Sequence, residues 1–224
     1  MHVAIIMNGN SRWATQRGLP NTAARSEAVA ALRNTVELAA TAGVRTLTLY
    51  ALSTPGCTRP RQEIDADLGV LDSYLRSDLQ RCHERSIRVS VIGGSEHLGA
   101  AFPWSLARPL PQKSADSRMG LRIVIDYSAH DSVVKAAWRS PHPRAPESFD
   151  QQLREIDQTA LPAGAVDLLV RTGGGRCQSE FMLWEVAYAR LHYVDCLWPD
   201  FTARCFQRAL AGYAVDAERV VSNA

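Results

Sequence analysis

The chain has 224 residues, 46% of them hydrophobic and 21% charged, which is the composition of an ordinary globular protein. This length can bury a full hydrophobic core, and we expect one domain over residues 1–224. The formal net charge of +2 argues against a nucleic-acid-binding protein, because a large nucleic-acid footprint needs a basic face.

The five cysteines are odd in number and show no C-x-x-C spacing, so neither a disulfide framework nor a zinc site is expected. No apolar run reaches the ~20 residues that a membrane span needs, and we expect no transmembrane segment. Because the chain starts directly on a predicted strand, with no signal or transit segment, we expect a cytoplasmic protein.

Predicted strands and helices alternate through the first half of the chain. Short apolar stretches predict strands, and apolar residues that recur every three or four positions predict helices. In order, the elements are strand His2–Met7, helix Ala23–Ala42, strand Val44–Ala51, helix Gln62–Arg85 and strand Ile87–Ile92.

The second half of the chain continues the alternation. In order, its elements are strand Leu121–Tyr127, helix Ser132–Arg139, loop Ser140–Pro146, strand Val166–Val170, helix Phe181–Ala189, strand Leu191–Val194 and helix Phe201–Val220. The loop is predicted from its three prolines, which interrupt regular structure.

Apolar strands that alternate with helices predict a parallel sheet with helices on both faces. We therefore expect an α/β fold with a central, mostly parallel, twisted sheet of about six strands flanked by helices. Ligands of such sheets bind outside the carboxyl ends of the strands. Three polar turns follow predicted strands there, and we expect them to meet at one edge: Asn8–Arg12, Ser53–Arg59 and Arg171–Gly175.

The first of these turns combines a glycine, short polar side chains and an arginine. Gly9 allows the backbone to come close to a ligand. The peptide N–H groups of Asn10, Ser11 and Arg12 would lie at the start of the next helix, where the helix dipole favours an anion. An ordinary capped turn is the alternative interpretation of this segment.

The other two turns add arginines to the same predicted edge. Arg59 follows the second strand, and Arg171 precedes three glycines after a later strand. Guanidinium groups match diphosphate oxygens well, so a diphosphate is a natural ligand for this edge. Solvated arginines or structural ion pairs are the alternative.

Three parts of the chain carry specific motifs. His2–Ala14 is HVAIIMNGNSRWA, Thr46–Ser53 is TLTLYALS with Arg59-Pro60 after it, and Asp167–Gly174 is DLLVRTGG. The motif at Asp167–Gly174 continues further along the chain with Ser179, Phe181, Leu183-Trp184, Ala187–Ala189 and Leu197–Phe201. Together these segments resemble the motifs of the cis-prenyltransferases, the undecaprenyl diphosphate synthase family, over nearly the whole chain.

The resemblance implies the cis-prenyltransferase fold, a homodimer and an alkyl-transfer reaction. An allylic diphosphate loses its diphosphate, and an acceptor attacks the allylic carbon. The usual acceptor in the family is isopentenyl diphosphate, held by an arginine and serine cluster and a magnesium ion. The hydrocarbon chain lies in an apolar tunnel, for which the resemblance suggests Leu68, Leu71 and Leu75.

Several positions depart from the family pattern at its metal site. The family has an Asp ligand where this chain has Asn8, and a Glu that helps to hold magnesium where it has Arg190. Magnesium prefers carboxylate oxygens, so we expect no cofactor or only a weak dependence on magnesium. Arg190, and Arg25 at the place of a family His, would hold the donor diphosphate instead.

The acceptor-diphosphate cluster of the family is also reduced. A second family arginine is replaced by Cys177, which leaves Arg171 and Ser179. The donor cradle, in contrast, keeps Gly9, Asn10, Ser11, Arg12 and Arg59. This asymmetry predicts an allylic diphosphate donor and an acceptor other than isopentenyl diphosphate.

Two further residues are candidate general bases. Asp126 and His130 belong to a segment that replaces the N-Y-G-G-R pattern of the family. Both residue types commonly accept protons in active sites, here from an acceptor molecule. The alternative is a cap at a strand end and a surface histidine.

We therefore expect a prenyltransferase of secondary metabolism that moves a short prenyl group, dimethylallyl, to a small aromatic or other non-isopentenyl acceptor, as carbazole-prenylating members of the family do. One alternative is the irregular, head-to-middle coupling of two allylic diphosphates, the second held by Arg171 and Ser179. Another is a non-catalytic subunit that partners an active synthase. An ordinary chain elongator with tolerated substitutions is the remaining alternative.

Overall fold

A computed structural model of the chain describes residues 1–52, 59–93, 98, 117–140, 146–156, 164–176 and 180–222. The strands are β1 His2–Ile6, β2 Thr46–Leu52, β3 Ile87–Ile92, β4 Met119–Ile125, β5 Leu168–Arg171 and β6 Arg190–Tyr193. The helices are α1 Asn10–Arg17, α2 Asn21–Thr41, α3 Arg61–Glu84, α4 Ala129–Arg139, α5 Pro146–Ile156 and α6 Ala203–Ser222, and a 3-10 turn covers Trp198–Asp200.

The six strands form one sheet in the order β3-β4-β2-β1-β5-β6, and every neighbouring pair is parallel. The predicted α/β architecture is therefore confirmed. Because all six strands run the same way, the carboxyl ends of β1, β2 and β5 lie at one edge of the sheet. Residues 53–58 of the predicted turn Ser53–Arg59 lie outside the described residues.

Successive residues of each strand point to opposite faces of the sheet and enter two different cores. On one face, Val3 and Ile5 of β1 pack in a cluster with residues of α2, α3 and α6. On the other face, Ala4 and Ile6 pack with the start of α4 and with residues 181–186. Both faces are covered, which is why the strands are apolar almost throughout.

The predicted helix Phe181–Ala189 is wrong, because the structure has a run of turns there. Met182 has φ 48°, in the left-handed region that does not continue a right-handed α-helix. Tertiary packing holds this conformation: Phe181 is fully buried, and its ring stacks on Tyr50 with centroids 4.5 Å apart.

Helix α5 was not predicted from the sequence. It begins at Pro146, a residue well suited to the first turn of a helix because its missing N–H has no intrahelical partner there. Phe149 and Leu153 of α5 pack against Ala136 of α4. Most of the predicted loop Ser140–Pro146 lies outside the described residues.

Within the described ranges, none of the helices combines the length and the apolar character required to cross a membrane.

Candidate active site

A cavity of about 450 Å³ lies at the carboxyl ends of β1 and β2, next to the start of α1, α2 and α3. It brings together most residues of the predicted diphosphate cradle: Asn8, Gly9, Asn10, Ser11, Arg12, Arg25, Arg59 and Arg171. The residues that complete its described wall are mostly apolar or uncharged: Ile6, Met7, Asn21, Ala24, Tyr50, Ala51, Leu52 and the one acidic residue, Asp67.

The backbone at Asn8 is held by two neighbouring segments. The Thr172 hydroxyl accepts a hydrogen bond from the Asn8 amide nitrogen at 2.9 Å and lies 2.9 Å from the Asn8 carbonyl oxygen. The Trp198 amide nitrogen donates to that same carbonyl at 3.0 Å. Because Thr172 is fully buried, these contacts fix the end of β1 against the turn after β5.

Gly9 makes the turn from β1 into α1 possible. Its φ is 113°, and a β-carbon there would lie 2.8 Å from Leu197 Cδ2. Helix α1 follows at once, and its first intrahelical bond runs from Trp13 N to Gly9 O at 2.9 Å. The N–H groups of Asn10, Ser11 and Arg12 therefore precede the hydrogen-bonded part of the helix, and no acidic side chain lies in its first turn. Such a helix start favours an anion.

Two arginines of the cavity lie close to glycines of the turn after β5. Arg12 Nη2 donates to Gly173 O at 2.7 Å. A β-carbon on Gly173, which has φ 86°, would lie 2.6 Å from that nitrogen. A β-carbon on Gly175 would lie 3.4 Å from Arg171 Nε. The glycines therefore give the guanidinium groups room at the cavity wall.

The part of the cavity wall formed by α2 and the start of α3 holds a triad of charged side chains. Asp67 accepts from Arg25 Nε through Oδ1 and from Arg59 Nη2 through Oδ2, both at 2.6 Å. Glu63, one turn earlier on α3, adds a longer contact of 3.5 Å to Arg59. The side chains of Arg25, Asp67 and Arg59 are 15%, 24% and 35% exposed, so the triad is partly shielded from solvent.

The charge and shape of the cavity indicate an amphipathic anion. Its described wall carries four arginines and one aspartate, an excess of three positive charges. An organic diphosphate carries about three negative charges near pH 7. The apolar side chains of the wall lie next to these cations and can contact a short hydrocarbon group.

Magnesium does not fit the described wall of the cavity. The carboxylate of Asp67 has both oxygens engaged by arginines, and position 8 offers an amide in place of the carboxylate that magnesium prefers. Elsewhere in the described ranges, no three His, Cys, Asp or Glu side chains come together as a metal site.

Arg190 does not line this cavity, so its position does not support the expected role of holding the donor diphosphate. It is the first residue of β6 and pairs with Leu168, three residues before the carboxyl end of β5. Its guanidinium lies over the Tyr213 ring, 5.0 Å from the centroid. The register of β6 with β5 therefore places the Arg190 side chain towards the amino-terminal ends of the strands, and the cavity lies at their carboxyl ends.

Asp126 and His130 are also outside the cavity wall, so their positions do not support the expected role as general bases. Asp126 is buried at the end of β4, and its carboxylate accepts from the Leu98 amide nitrogen at 3.3 Å. His130 is on the surface with its side chain 73% exposed, and it pairs with Glu180 at 2.8 Å. Asp126 is better described as a cap at the end of a strand, and His130 as a surface histidine.

The predicted tunnel residues are likewise placed elsewhere. Leu68, Leu71 and Leu75 are 1%, 8% and 3% exposed and belong to the main core between α3 and the sheet. They do not line the cavity. Ser179, the other predicted acceptor-site residue besides Arg171, and Cys177, which replaces a family arginine, lie outside the described residues.

Two residues of the site were missed from the sequence. Asp67 is eight residues after Arg59 and four after Glu63, a spacing that puts acidic side chains on one face of α3. That spacing was a usable signal. Thr172 gave no signal by itself, because its role depends on the pairing of β5 with β1.

Known proteins match this chain over almost its full length. Residues 6–221 match the prenyltransferase family described as "Putative undecaprenyl diphosphate synthase". Isoprenyl transferase 1 of Bradyrhizobium diazoefficiens is 38% identical over 217 residues, which cover 95% of this chain and 86% of that protein. The ditrans,polycis-undecaprenyl-diphosphate synthase of Pseudomonas syringae pv. tomato is described as specific for (2E,6E)-farnesyl diphosphate. It is 35% identical over 221 residues, which cover 95% of this chain and 87% of that protein.

A solved structure matches the fold. Lavandulyl diphosphate synthase from Lavandula x intermedia, in complex with dimethylallyl diphosphate, has a TM-score of 0.79 and 27% sequence identity. The match covers 95% of this chain and 94% of that one. The parallel sheet, the arginine-rich cavity at its carboxyl edge and these relatives agree, and the chain therefore belongs to the cis-prenyltransferase family, that of undecaprenyl diphosphate synthase, and is a prenyltransferase.

Proposed function

We propose that this enzyme transfers a dimethylallyl group from its diphosphate to an uncharged aromatic acceptor of secondary metabolism without a metal ion. The observation that carries the proposal is the charge arrangement of the cavity. Four arginines surround one small amphipathic space, and the carboxylate within it is already paired. That arrangement matches a single organic diphosphate and lacks the ligand set of a magnesium ion.

In this proposal the donor diphosphate lies at the start of α1. Its oxygens are bound by the N–H groups of Asn10, Ser11 and Arg12 and by the guanidinium groups of Arg12, Arg25 and Arg59. The side-chain amides of Asn8 and Asn10 add hydrogen bonds. Because several of these donors are held in place by protein contacts, they are already oriented towards the charge that develops on the leaving group.

The reaction then breaks the allylic C–O bond, and both electrons leave with the diphosphate. The dimethylallyl cation lies against the apolar wall formed by Ala24, Ala51 and Leu52. A carbon atom of the acceptor forms the new bond to the allylic carbon. The aromatic carbon subsequently loses its proton to the departing diphosphate, which is the strongest base next to it and needs no further protein group.

The test is turnover of dimethylallyl diphosphate with an electron-rich aromatic acceptor such as a carbazole, in the presence and absence of EDTA. We expect a product heavier than the acceptor by one prenyl group, formed at a similar rate under both conditions. Activity that disappears on chelation and returns with magnesium contradicts the proposal. Turnover by the isolated chain excludes a silent partner subunit.

Irregular coupling of two allylic diphosphates is the second candidate. It is supported by Arg171 in the same cavity and by the similarity to a lavandulyl diphosphate synthase. Incubation with dimethylallyl diphosphate alone separates the two candidates. A ten-carbon diphosphate product supports coupling. Unreacted donor, together with a prenylated product once the aromatic acceptor is added, supports an aromatic acceptor.

We also infer a homodimer that is formed through the β6 side of the sheet. Strand β6 is an edge strand, and three large side chains near it are exposed: Trp184 by 46%, Tyr188 by 94% and Leu191 by 44%. An exposed edge with an adjacent apolar patch is typical of an interface. Sedimentation analysis should give a dimer for the wild type and a monomer for Leu191→Asp combined with Tyr188→Glu.

A further inference from the structure

We propose that Cys196 and Cys205 form a reversible disulfide, and that this bond weakens the binding of the donor diphosphate. Cys196 lies in the segment after β6, and Cys205 lies in the first turn of α6. Formation of the disulfide does not depend on the proposed function. Its effect on donor binding does rest on that function, because it assumes that an allylic diphosphate binds in the cavity at the start of α1.

The distance between the two thiols is the first observation behind this inference. The sulfur atoms of Cys196 and Cys205 lie 3.8 Å apart, and both cysteines are free. Their side chains are half-buried against the main core. The pair is therefore held together by the packing of two separate elements and is still accessible to a small oxidant.

The surroundings of the two thiols give them different reactivity. Burial opposes ionisation of Cys205, but hydrogen bonds outweigh it and lower the pKa of this thiol; one of them comes from the Thr202 hydroxyl at 3.5 Å. The first turn of a helix also favours a thiolate. Burial, followed by the neighbouring Cys205, raises the pKa of Cys196 to about 12. Cys205 is therefore the thiolate that reacts first, and Cys196 is the thiol that completes the disulfide.

Hydrogen peroxide is the oxidant in the proposed reaction. The Cys205 thiolate attacks one peroxide oxygen, the O–O bond breaks, and the products are a sulfenic acid and hydroxide. The sulfur of Cys196 then attacks the sulfenic sulfur, the S–O bond breaks, and the thiol proton leaves with the oxygen as water. In total, two thiols lose two electrons and two protons, and one peroxide becomes two water molecules. A thiol reductant reverses the change by exchange.

The segment that carries Cys196 also supports the donor cradle. Cys196 O accepts from Gly173 N at 2.8 Å, and Gly173 O accepts from Arg12 Nη2 at 2.7 Å. The next residue, Leu197, packs against Gly9, where a β-carbon would lie 2.8 Å from Leu197 Cδ2. A shift of Cys196 therefore moves groups that would bind the diphosphate.

Formation of the disulfide requires such a shift. A disulfide bond is about 2.05 Å long, so the two sulfur atoms must approach each other by about 1.8 Å. Helix α6 is anchored in the main core by Phe206 and Ala209, which are 1% and 0% exposed. We therefore expect the segment at Cys196 to take up most of the movement, and the Arg12 guanidinium to lose its fixed position in the cavity.

The experiment uses the full-length chain with Cys57→Ser and Cys177→Ser, so that Cys82 is the only thiol besides the proposed pair. The protein is treated with hydrogen peroxide, its free thiols are alkylated, and peptide mass spectrometry identifies the linked residues. Wild-type protein is mapped in parallel. Calorimetry measures the dissociation constant of the unreactive analogue dimethylallyl thiolodiphosphate before oxidation, after oxidation and after reduction with dithiothreitol. The same protein with the additional change Cys205→Ser is the matched control.

We expect a disulfide between Cys196 and Cys205 and an alkylated Cys82. Cys82 is the internal reference because its side chain is 5% exposed and burial raises its pKa to about 11. Oxidation should raise the dissociation constant of the donor analogue at least tenfold, and dithiothreitol should restore it. The Cys205→Ser protein should bind the analogue as the reduced parent does and should keep that affinity in peroxide.

Two results overturn the inference and leave the proposed function intact. One is peroxide-treated protein in which Cys196 and Cys205 are not joined, a measurement that needs no ligand. The other is oxidised protein that carries the disulfide and binds the donor analogue as tightly as the reduced protein does. Reduced wild type that does not bind the analogue overturns the proposed function and the effect on donor binding, and the peptide map still tests the disulfide.

Discussion

The hydroxyl of Thr172 lies 2.9 Å from both the amide nitrogen and the carbonyl oxygen of Asn8, and it joins the turn after β5 to the turn after β1. Thr172→Val keeps the shape of this side chain and removes both contacts. We expect the free energy of unfolding to fall by about 1–3 kcal/mol, the cost of losing two hydrogen bonds. Chemical denaturation measures it, and Thr172→Ser should recover most of the loss. Equal stability of all three proteins would contradict a structural role for the hydroxyl.

Gly9→Ala should disrupt the donor cradle. The new methyl group would lie 2.8 Å from Leu197 Cδ2 at a φ of 113°, so the start of α1 must shift. We expect donor affinity, measured by calorimetry with dimethylallyl thiolodiphosphate, to fall at least tenfold. Gly18→Ala is the control, because Gly18 also has positive φ but has open space around its α-carbon. Similar donor affinities in both variants would contradict the role of Gly9.

Arg12→Gln tests the guanidinium that is held against Gly173. We expect the KM for the donor to rise by about 10- to 100-fold, which corresponds to the loss of hydrogen bonds to a charged group. Arg17→Gln on the same helix is the matched control. Arg17 pairs with Asp200 at 3.0 Å and lies outside the cavity wall. A comparable rise in KM for both variants would indicate a general effect on α1.

Asn8→Asp tests the metal-free interpretation of the cavity. A carboxylate at this position adds a negative charge next to the donor diphosphate and also supplies a ligand that magnesium prefers. We expect turnover in EDTA to fall at least tenfold and to respond to added magnesium. The wild type should show no such response. A variant with unchanged, magnesium-independent turnover would show that residue 8 does not contact the diphosphate.

The buried His2 should make stability depend on pH. Burial, followed by the charge of Arg122, lowers the pKa of His2 from 6.5 to about 4. The unfolded chain therefore binds more protons than the folded chain between these values, and stability that is present above pH 6.5 is lost as the pH falls towards 4. The shift corresponds to about 3 kcal/mol.

Denaturation of the wild type and of His2→Asn between pH 7 and pH 4.5 measures this effect. The asparagine removes the titrating group and keeps a short polar side chain where His2 Nδ1 lies 3.1 Å from Gly164 O. The wild type should lose stability more steeply than the variant. If the stability of the two proteins fell in parallel with pH, other titrating groups would be responsible for the loss of stability.

The sequence alone was sufficient to predict the sheet and the first turn of the site. Apolar strands that alternate with helices require a covered parallel sheet, and parallel strands place their following turns at one edge. The requirement for a glycine at residue 9 also depends only on neighbouring residues, because it follows from the turn of the chain between β1 and α1. For these features, the information lies within a few neighbouring residues.

The positions of side chains from distant segments were decided only by tertiary structure. The register of β6 places Arg190 away from the cavity, and the rotation of α3 turns Leu68 into the core and Asp67 towards Arg25 and Arg59. Helical periodicity defines two faces of α3 but does not say which neighbour each face meets. That choice minimises exposed apolar surface over the whole chain, so it is a property of the packed molecule and not of any single segment.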